Sequence, residues 1–300
     1  MTEHATADPA TEAFVAHRNL LFTVAYEMLG SAADAEDVLQ ETWLRWSDVD
    51  LEQVRDQRAY LVRITTRQAL NRLRSMKRRK EAYVGPWLPE PLLTAPDVAE
   101  DVELAESVSM AMMLVLETLA PTERAVFVLR EAFDVGYDEI AEAVGKTPAA
   151  VRQIAHRARR HVDERRPRRT VPASASRAAL EAFRRAVETM DPQGLLEVLA
   201  PEVVLVNDGG GVKQAAPRPI LGADKVTRFF FAMLEKNSDV TIGLSPTVVN
   251  GTPALLVHMD GEVDGVLAAQ VEGSAITGLY YVRNPHKLTR MTTETPLALR

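Results

Sequence analysis

The stretch "TPAAVRQIAHRARRHVDERRPRR", residues 147–169, gathers arginines in a chain whose formal net charge is -7. At helical spacing Val151, Ile154, Ala155, Ala158 and Val162 fall on one side, leaving Arg152, Gln153, His156, Arg157, Arg159 and Arg160 on the other. An arginine fork matches phosphate oxygens and the O6 and N7 edge of guanine, and a glutamine amide matches the N6 and N7 edge of adenine. The chemistry open to this face is recognition of nucleic acid. A solvated basic helix has the same composition, so position must separate the two readings. The basic face lies opposite a packed side and behind a short helical pattern from about Tyr137 to Val144 that stops at Gly145. Thr147 can then cap the next helix, with Pro148 in the first helical position. This order predicts a helix-turn-helix, in which the first residues of the second helix reach base edges in the major groove.

A second cationic stripe precedes it. Arg63, Arg67, Asn71, Arg74 and Arg78 share one side of a helix expected from about Asp56 to Lys80, with Leu61, Ile64, Thr65 and Ala69 on its apolar side. Upstream, Leu21, Val24, Ala25 and Met28 mark a helix ending at Gly30, and Ser31 can cap the next. Asp34, Glu36 and Asp37 crowd the first turn of that helix, where the dipole favours negative charge. Val38, Leu39, Trp43 and Trp46 are its expected buried side.

The elements carrying these faces alternate with breaks. "GPWLPEPLLTAPD", residues 85–97, is too rich in proline for a helix or a central strand and reads as a linker or docking segment. Helical pattern returns at Val108, Met112, Val115 and Leu119, and after Pro121 at Val126, Leu129 and Phe133. "RRPRRTVPASAS", residues 165–176, reads as a second linker. Beyond it glycine becomes common, and three helical patterns, the last "DKVTRFFFAMLEK", accompany strand patterns with turns at Asn250–Gly251 and near Glu272–Gly273. This half is expected to be α+β.

Composition limits the function classes. At 300 residues the chain has room for two or three domains of roughly 100–150 residues. Its 46% hydrophobic and 26% charged residues suit folded domains with real cores. The absence of cysteine removes disulfides, thiolate zinc sites and cysteine nucleophiles. His258 and His286 have no His, Asp or Glu cluster at metal spacing nearby, so neither a metal nor a cofactor is expected. The polar start "MTEHATADPATEAF" has no signal core, and no apolar run approaches the roughly 20 residues of a membrane span. The expected location is cytoplasmic, without a membrane partner.

Two basic helical faces joined by a proline-rich segment carry a resemblance. "SAADAEDVLQETWLRW" followed by "RAYLVRITTRQALNRLRSMKRRK" resembles the core-binding and promoter-melting domain of extracytoplasmic-function RNA polymerase sigma factors. "LAPTERAVFVLREAFDVGYDEIAEAVGKTPAAVRQIAHRARRHV" resembles the domain with which they read the upstream promoter element. "WLPEP" at 87–91, "DGGG" at 208–211 and "NPHKL" at 284–288 resemble segments of the SigJ-type subgroup, which carries a C-terminal SnoaL-like domain of the NTF2 fold. Two positions depart from the subgroup: Val212 follows "DGGG" where a basic residue is usual, with Lys213 next, and His286 stands where aspartate is usual.

The resemblance implies two all-α sigma domains, the second a helix-turn-helix, followed by an α+β SnoaL-like domain. The expected boundaries are a disordered tail over 1–12, a helical domain over 13–84, a linker over 85–105, the helix-turn-helix domain over 106–165, a linker over 166–176 and the regulatory domain over 177–300. Thr147, Arg152, Gln153, His156, Arg157 and Arg160 would read the upstream element. Arg63, Arg67, Asn71, Arg74 and Arg78 would meet the downstream element and the melted strand, and Asp37, Gln40, Glu41 and Trp43 would dock on core RNA polymerase. Trp87, Leu88, Pro89, Glu90, Pro91, Asp208, Gly209, Gly210, Gly211, Asn284, Pro285, Lys287 and Leu288 would form a regulatory contact between domains.

The implied partners are core RNA polymerase and promoter DNA, and no residue is expected to make or break a covalent bond. The alternative is a one-component DNA-binding regulator whose NTF2-like domain senses a small molecule or keeps isomerase or cyclase activity. Asp208, His258, Tyr280 and Tyr281 would then be its candidates.

Overall fold

The computed structural model describes residues 8–95, 98, 101–166 and 171–299, with the side chains of residues 77 and 78 outside the description. In chain order the helices are α1 (Pro9–Leu29), α2 (Ala32–Trp46), α3 (Gln57–Glu81), α4 (Val102–Val108), α5 (Met110–Glu117), α6 (Pro121–Phe127), α7 (Tyr137–Val144), α8 (Pro148–Asp163), α9 (Ala173–Glu188), α10 (Pro192–Val198) and α11 (Ala223–Lys236). The strands are β1 (Leu199–Asp208), β2 (Ile220–Leu221), β3 (Ile242–Val249), β4 (Thr252–Met259), β5 (Glu262–Glu272) and β6 (Ala275–Val282). Two compact units result: a helical unit of residues 1–78, 116–165 and 296–300, and a sheet unit of residues 79–115 and 166–295.

In the helical unit, Ser31 caps α2 by accepting the Asp34 amide at 3.2 Å. Trp46 is fully buried and donates Nε1–H to the Ala10 carbonyl at 2.7 Å, which fixes the start of α1 against the end of α2. Residues 9–12, expected in the tail, are therefore helical. Trp43, expected in the core, is half-buried and packs on Phe14 at 5.3 Å, while Thr42 takes the buried position. On α3 Ile64 is only half-buried, and Val62, Leu70, Leu73 and Met76 complete the packed side. The helical pattern expected over 108–119 is interrupted at Ser109, whose extended ψ of 148 separates α4 from α5 and whose Oγ accepts the Met112 amide. After α6 the chain continues as a π-type turn over Val128–Ala132.

Arg124 on α6 is a core residue that the apolar pattern does not reveal. At 1% exposure it donates to the Glu27 carbonyl at 2.9 Å and to Glu117 at 2.6 Å, which satisfies most of a cation that burial would otherwise penalise.

The sheet unit is built on six strands in the order β2-β1-β6-β5-β4-β3, with β1 and β6 parallel and the other pairs antiparallel. One face is covered by α9, α10 and α11, whose Phe183, Leu195, Val226 and Phe230 pack with Leu205, Leu255, Leu267 and Leu279. On the other face Val249, Ala254, Val266, Ala268 and Val282 pack with Leu88 and Met110 from the preceding chain. This is the α+β arrangement expected of the C-terminal half.

The expected 85–105 linker is not free chain. Residues 88–92 are buried, Leu93 bridges Val249 in antiparallel fashion, the Leu92 amide donates to Asn250 Oδ1 at 2.9 Å, and the Leu92 carbonyl accepts from the Asn250 backbone amide at 2.9 Å. Proline suits this path because the segment needs few amide donors and runs extended along a sheet edge. α4 begins at Val102 inside that linker, α9 begins at Ala173 inside the linker expected over 166–176, and residues 106–115 pack with the sheet unit. Among the described residues no helix is long and apolar enough to cross a membrane, and no three His, Asp or Glu side chains could hold a metal ion.

Candidate nucleic-acid interface and docked segment

α7 ends at Gly145, and Thr147 Oγ1 caps α8 by accepting the Ala150 amide at 3.3 Å. Val151, Ile154, Ala155, Ala158 and Val162 are the buried residues of α8, and Thr147, Arg152, Gln153, His156, Arg157 and Arg160 are all exposed. The exposed set is not uniform. Arg152 lies 5.6 Å from the Tyr137 ring centroid, and Arg157 pairs with Glu123 at 3.6 Å. Arg159 is held by Glu131 through two bonds at 3.1 and 2.5 Å, which raises its already high pKa. The first turns of α8 thus present Arg152, Gln153 and His156 outward, with the later arginines along its flank.

The cationic stripe of α3 is divided. Arg63 forms an ion pair with Glu142 of α7 at 2.7 Å and stacks over Tyr60, and Arg67 donates to the Glu142 carbonyl at 2.8 Å. Asn71 and Arg74 are exposed neighbours, while the Arg78 side chain lies outside the described residues. On α2, Asp37 is paired with Arg72 of α3, which also binds Asp34 at 2.7 Å, so this acid belongs to an α2–α3 clamp. Gln40 is exposed, Glu41 is half-buried near Arg45 at 3.9 Å, and Trp43 sits against Phe14. Arg72 is missed by the sequence reading because it falls between the apolar and cationic positions of α3.

In the sheet unit the three quoted motifs meet. Asp208, fully buried at the end of β1, accepts from Tyr83 Oη at 2.6 Å, the Leu88 amide at 2.9 Å, the Gly210 amide at 3.0 Å and Lys287 Nζ at 2.8 Å. Lys287, 6% exposed, also donates to the Leu88 carbonyl at 2.6 Å and lies 3.3 Å from the Trp87 ring centroid and 4.8 Å from that of Tyr83. The ammonium is thereby held by a carboxylate, a carbonyl and two aromatic faces, which offsets its desolvation. Asn284 is likewise buried; its amide donates to Tyr83 Oη at 2.7 Å, and its Oδ1 caps the turn over Pro285–Lys287. Burial first, then the bonded Asp208, push the Tyr83 hydroxyl far above its ordinary range, so it stays a neutral donor.

Pro89, Glu90 and Pro91 are buried beside this cluster, and Leu288 is half-buried. Gly209 is buried, and the turn that follows it needs glycine at Gly210: φ is +60, and a side chain there would run into Asn284. Gly211, with φ +74, lies beside Val84. The two departing positions, Val212 and His286, are both exposed. Lys213, next to Val212, pairs with Asp264 at 3.0 Å, a buried acid also bound by Arg283 and Tyr281. Tyr83 was not singled out by sequence; nothing but its spacing of four from Trp87 hinted at it.

The residues that could have served an isomerase do not converge. Asp208 is committed to the docked segment, Tyr281 bonds Asp264, and Tyr280 packs on the opposite sheet face and bonds Gln270. The space between the α9 and α11 helices and the sheet amounts to about 10 Å³ and is lined by Phe183, Phe230, Leu244, Val257, Leu267 and Tyr281 among others. That is room for about one water molecule.

Residues 13–79 match the family Sigma-70 region 2, and residues 109–162 match Sigma-70 region 4. The chain is 35% identical over 288 residues to the ECF RNA polymerase sigma factor SigJ of Mycobacterium tuberculosis, covering 92% of both proteins. It is 32% identical over 297 residues to the probable ECF RNA polymerase sigma factor SigI of the same species, covering 98% of this chain and 99% of the relative. The crystal structure of Mycobacterium tuberculosis SigJ superposes with a TM-score of 0.75 at 32% identity, covering 96% of this chain and all of that one. With both Sigma-70 regions present and relatives matched along nearly their whole length, the chain belongs to the extracytoplasmic-function RNA polymerase sigma factors.

Proposed function

We propose that this chain joins core RNA polymerase in the cytoplasm and directs initiation at promoters whose upstream element is read by Arg152, Gln153 and His156 of α8, with Asn71 and Arg74 of α3 at the downstream element. The observation that carries the reading is the presence of two separate helices with exposed cationic side chains, α3 and α8, in one chain. A one-component repressor needs one reader helix and has no use for the second. Gln40, Glu41 and Trp43 on α2 are the proposed polymerase contacts. The chain itself supplies binding and positioning; the polymerase makes the phosphodiester bond.

The sheet unit acts in this proposal as an internal regulator. Asp208, Asn284 and Lys287 hold Tyr83, Trp87 and Leu88 in the chain that follows α3, and the β3–β4 turn holds Leu92 to Thr94, which limits the free length between the two proposed promoter-reading helices. Release of that segment is a conformational equilibrium shifted by the contact energy lost. The test is promoter-specific transcription with purified core polymerase by the wild type, Trp87→Ala, Asp208→Ala and a chain ending at Asn284. The variants are expected to depart from wild type in one common direction, with Trp87→Ala and Asp208→Ala non-additive. Identical activity in all four chains refutes the regulatory role, and failure of the wild type to co-purify with core refutes the assignment to initiation.

A further inference from the structure

We propose that the sheet unit binds a small neutral ring compound carrying one hydroxyl or amide, in a cavity between the α4–α5 pair, the start of α9 and strands β4 to β6. This cavity measures about 150 Å³ and is separate from the nearly filled space beneath α9 and α11. An apolar cavity of this size takes a ring of about the size of benzene. Its room comes from small residues: Ala105, Ala111, Ala173 and Ala268 line it. Gly251, with φ +66, brings β4 so close to α4 that an added Cβ would lie 2.6 Å from Ala105 Cα.

The polar end of the cavity sets the ligand class. Tyr280 is 9% exposed and donates its hydroxyl to Gln270 Oε1 at 2.8 Å, so its oxygen keeps a lone pair for an incoming donor. Burial pushes the Tyr280 hydroxyl above its ordinary range, which keeps it neutral. Gln270 Nε2 makes only a 3.2 Å contact to Glu272 and can also donate to a ligand oxygen. A hydroxyl, both donor and acceptor, suits the Tyr280 and Gln270 pair. Among the described residues the lining includes no lysine, arginine or histidine, and the Glu106 carboxylate at the rim pairs with Arg166 at 2.6 Å. A carboxylate ligand would therefore be desolvated without a counter-charge.

The site does not depend on the role proposed for the docked segment, and its test reads binding without transcription. Saturation-transfer NMR and thermal shift on the full chain with phenol, toluene, benzoate and decanol are the measurements. Phenol is expected to bind at about 1 mM or tighter, and roughly tenfold tighter than benzoate. Gln270→Leu should lower phenol affinity to that of toluene. Ala111→Phe and Ser176→Phe, which fill the cavity from two walls, should each abolish binding while the far-UV spectrum is retained. Should one of them fail to fold, the other decides. No phenol binding by wild type at about 10 mM, benzoate equal to phenol, decanol tighter than both rings, or full binding by a folded cavity-filling variant each overturns the proposal.

Discussion

Asp208 and Lys287 give the docked segment its strongest quantitative test. Both side chains are buried, at 0% and 6% exposure, and pair at 2.8 Å. Removing one partner of a buried pair typically costs about 3–5 kcal/mol, because a charge is left without its counter-charge. Each residue keeps other partners: Asp208 retains Tyr83 and the Leu88 and Gly210 amides, and Lys287 retains the Leu88 carbonyl and two rings. Asp208→Asn and Lys287→Met should therefore each fall near the lower limit, about 3 kcal/mol. The double variant carries no buried charge and loses mainly neutral hydrogen bonds, so its cost should be about 2–3 kcal/mol and the coupling about 3 kcal/mol. The Leu88 amide, bonded to Asp208 at 2.9 Å, reports local opening directly. In native-state hydrogen exchange each single variant should exchange it roughly 150-fold faster than wild type. The double variant should not be faster than either single one. Additivity to within about 0.5 kcal/mol would refute the idea that the pair acts as a unit.

Four further outcomes are expected. Arg152→Ala and Gln153→Ala should weaken transcription in a way that depends on the upstream sequence, while Arg160→Ala weakens it evenly and lowers the salt slope; equal losses on every sequence would remove the base-reading role. Glu142→Gln should free Arg63 from its ion pair and raise the affinity of the chain for promoter DNA in fluorescence anisotropy, with a steeper salt dependence. The double variant Gln40→Ala with Glu41→Arg should lose core polymerase in a pull-down without loss of fold, whereas Asp37→Arg should also lower the thermal midpoint, because it breaks the Arg72 clamp. Asp264 is buried, which alone would raise its pKa, but Arg283 and Lys213 outweigh burial and hold it below the ordinary carboxylate value. A depressed native pKa gives stability that is present above the unfolded pKa and lost as pH falls through the native one. Acid unfolding of the sheet unit should accordingly shift to higher pH in Lys213→Met, and an unchanged midpoint would refute it.

Much of the helical unit was legible because its signals are local. The cap at Thr147, the stop at Gly145 and the five buried positions of α8 each depend on residues within one helical turn, where propensity and packing agree. The quoted motifs also marked the docking cluster, although Asp208, Trp87 and Lys287 lie 79 or more residues apart except for the neighbours within each motif. The partners of charged groups were not legible. Which acid meets Arg63, or that Asp37 belongs to Arg72, depends on how helices pack across the unit, and an exposed stripe in sequence has no means of naming its neighbour. The buried Arg124 and the break at Ser109 were hidden for the same reason, since each is stabilised by a carbonyl or amide brought near by packing or by a local turn that competes with helix. Sequence by itself determined the family, the fold class and which face of α8 is buried and which is exposed and cationic, because these follow from motifs, periodicity and caps. Only the tertiary structure decided that the proline-rich segment lies along a sheet, that Arg63 and Arg67 are held by Glu142, and that Asp208 is spent on Lys287 and Leu88, because burial and electrostatic pairing are properties of distances through space.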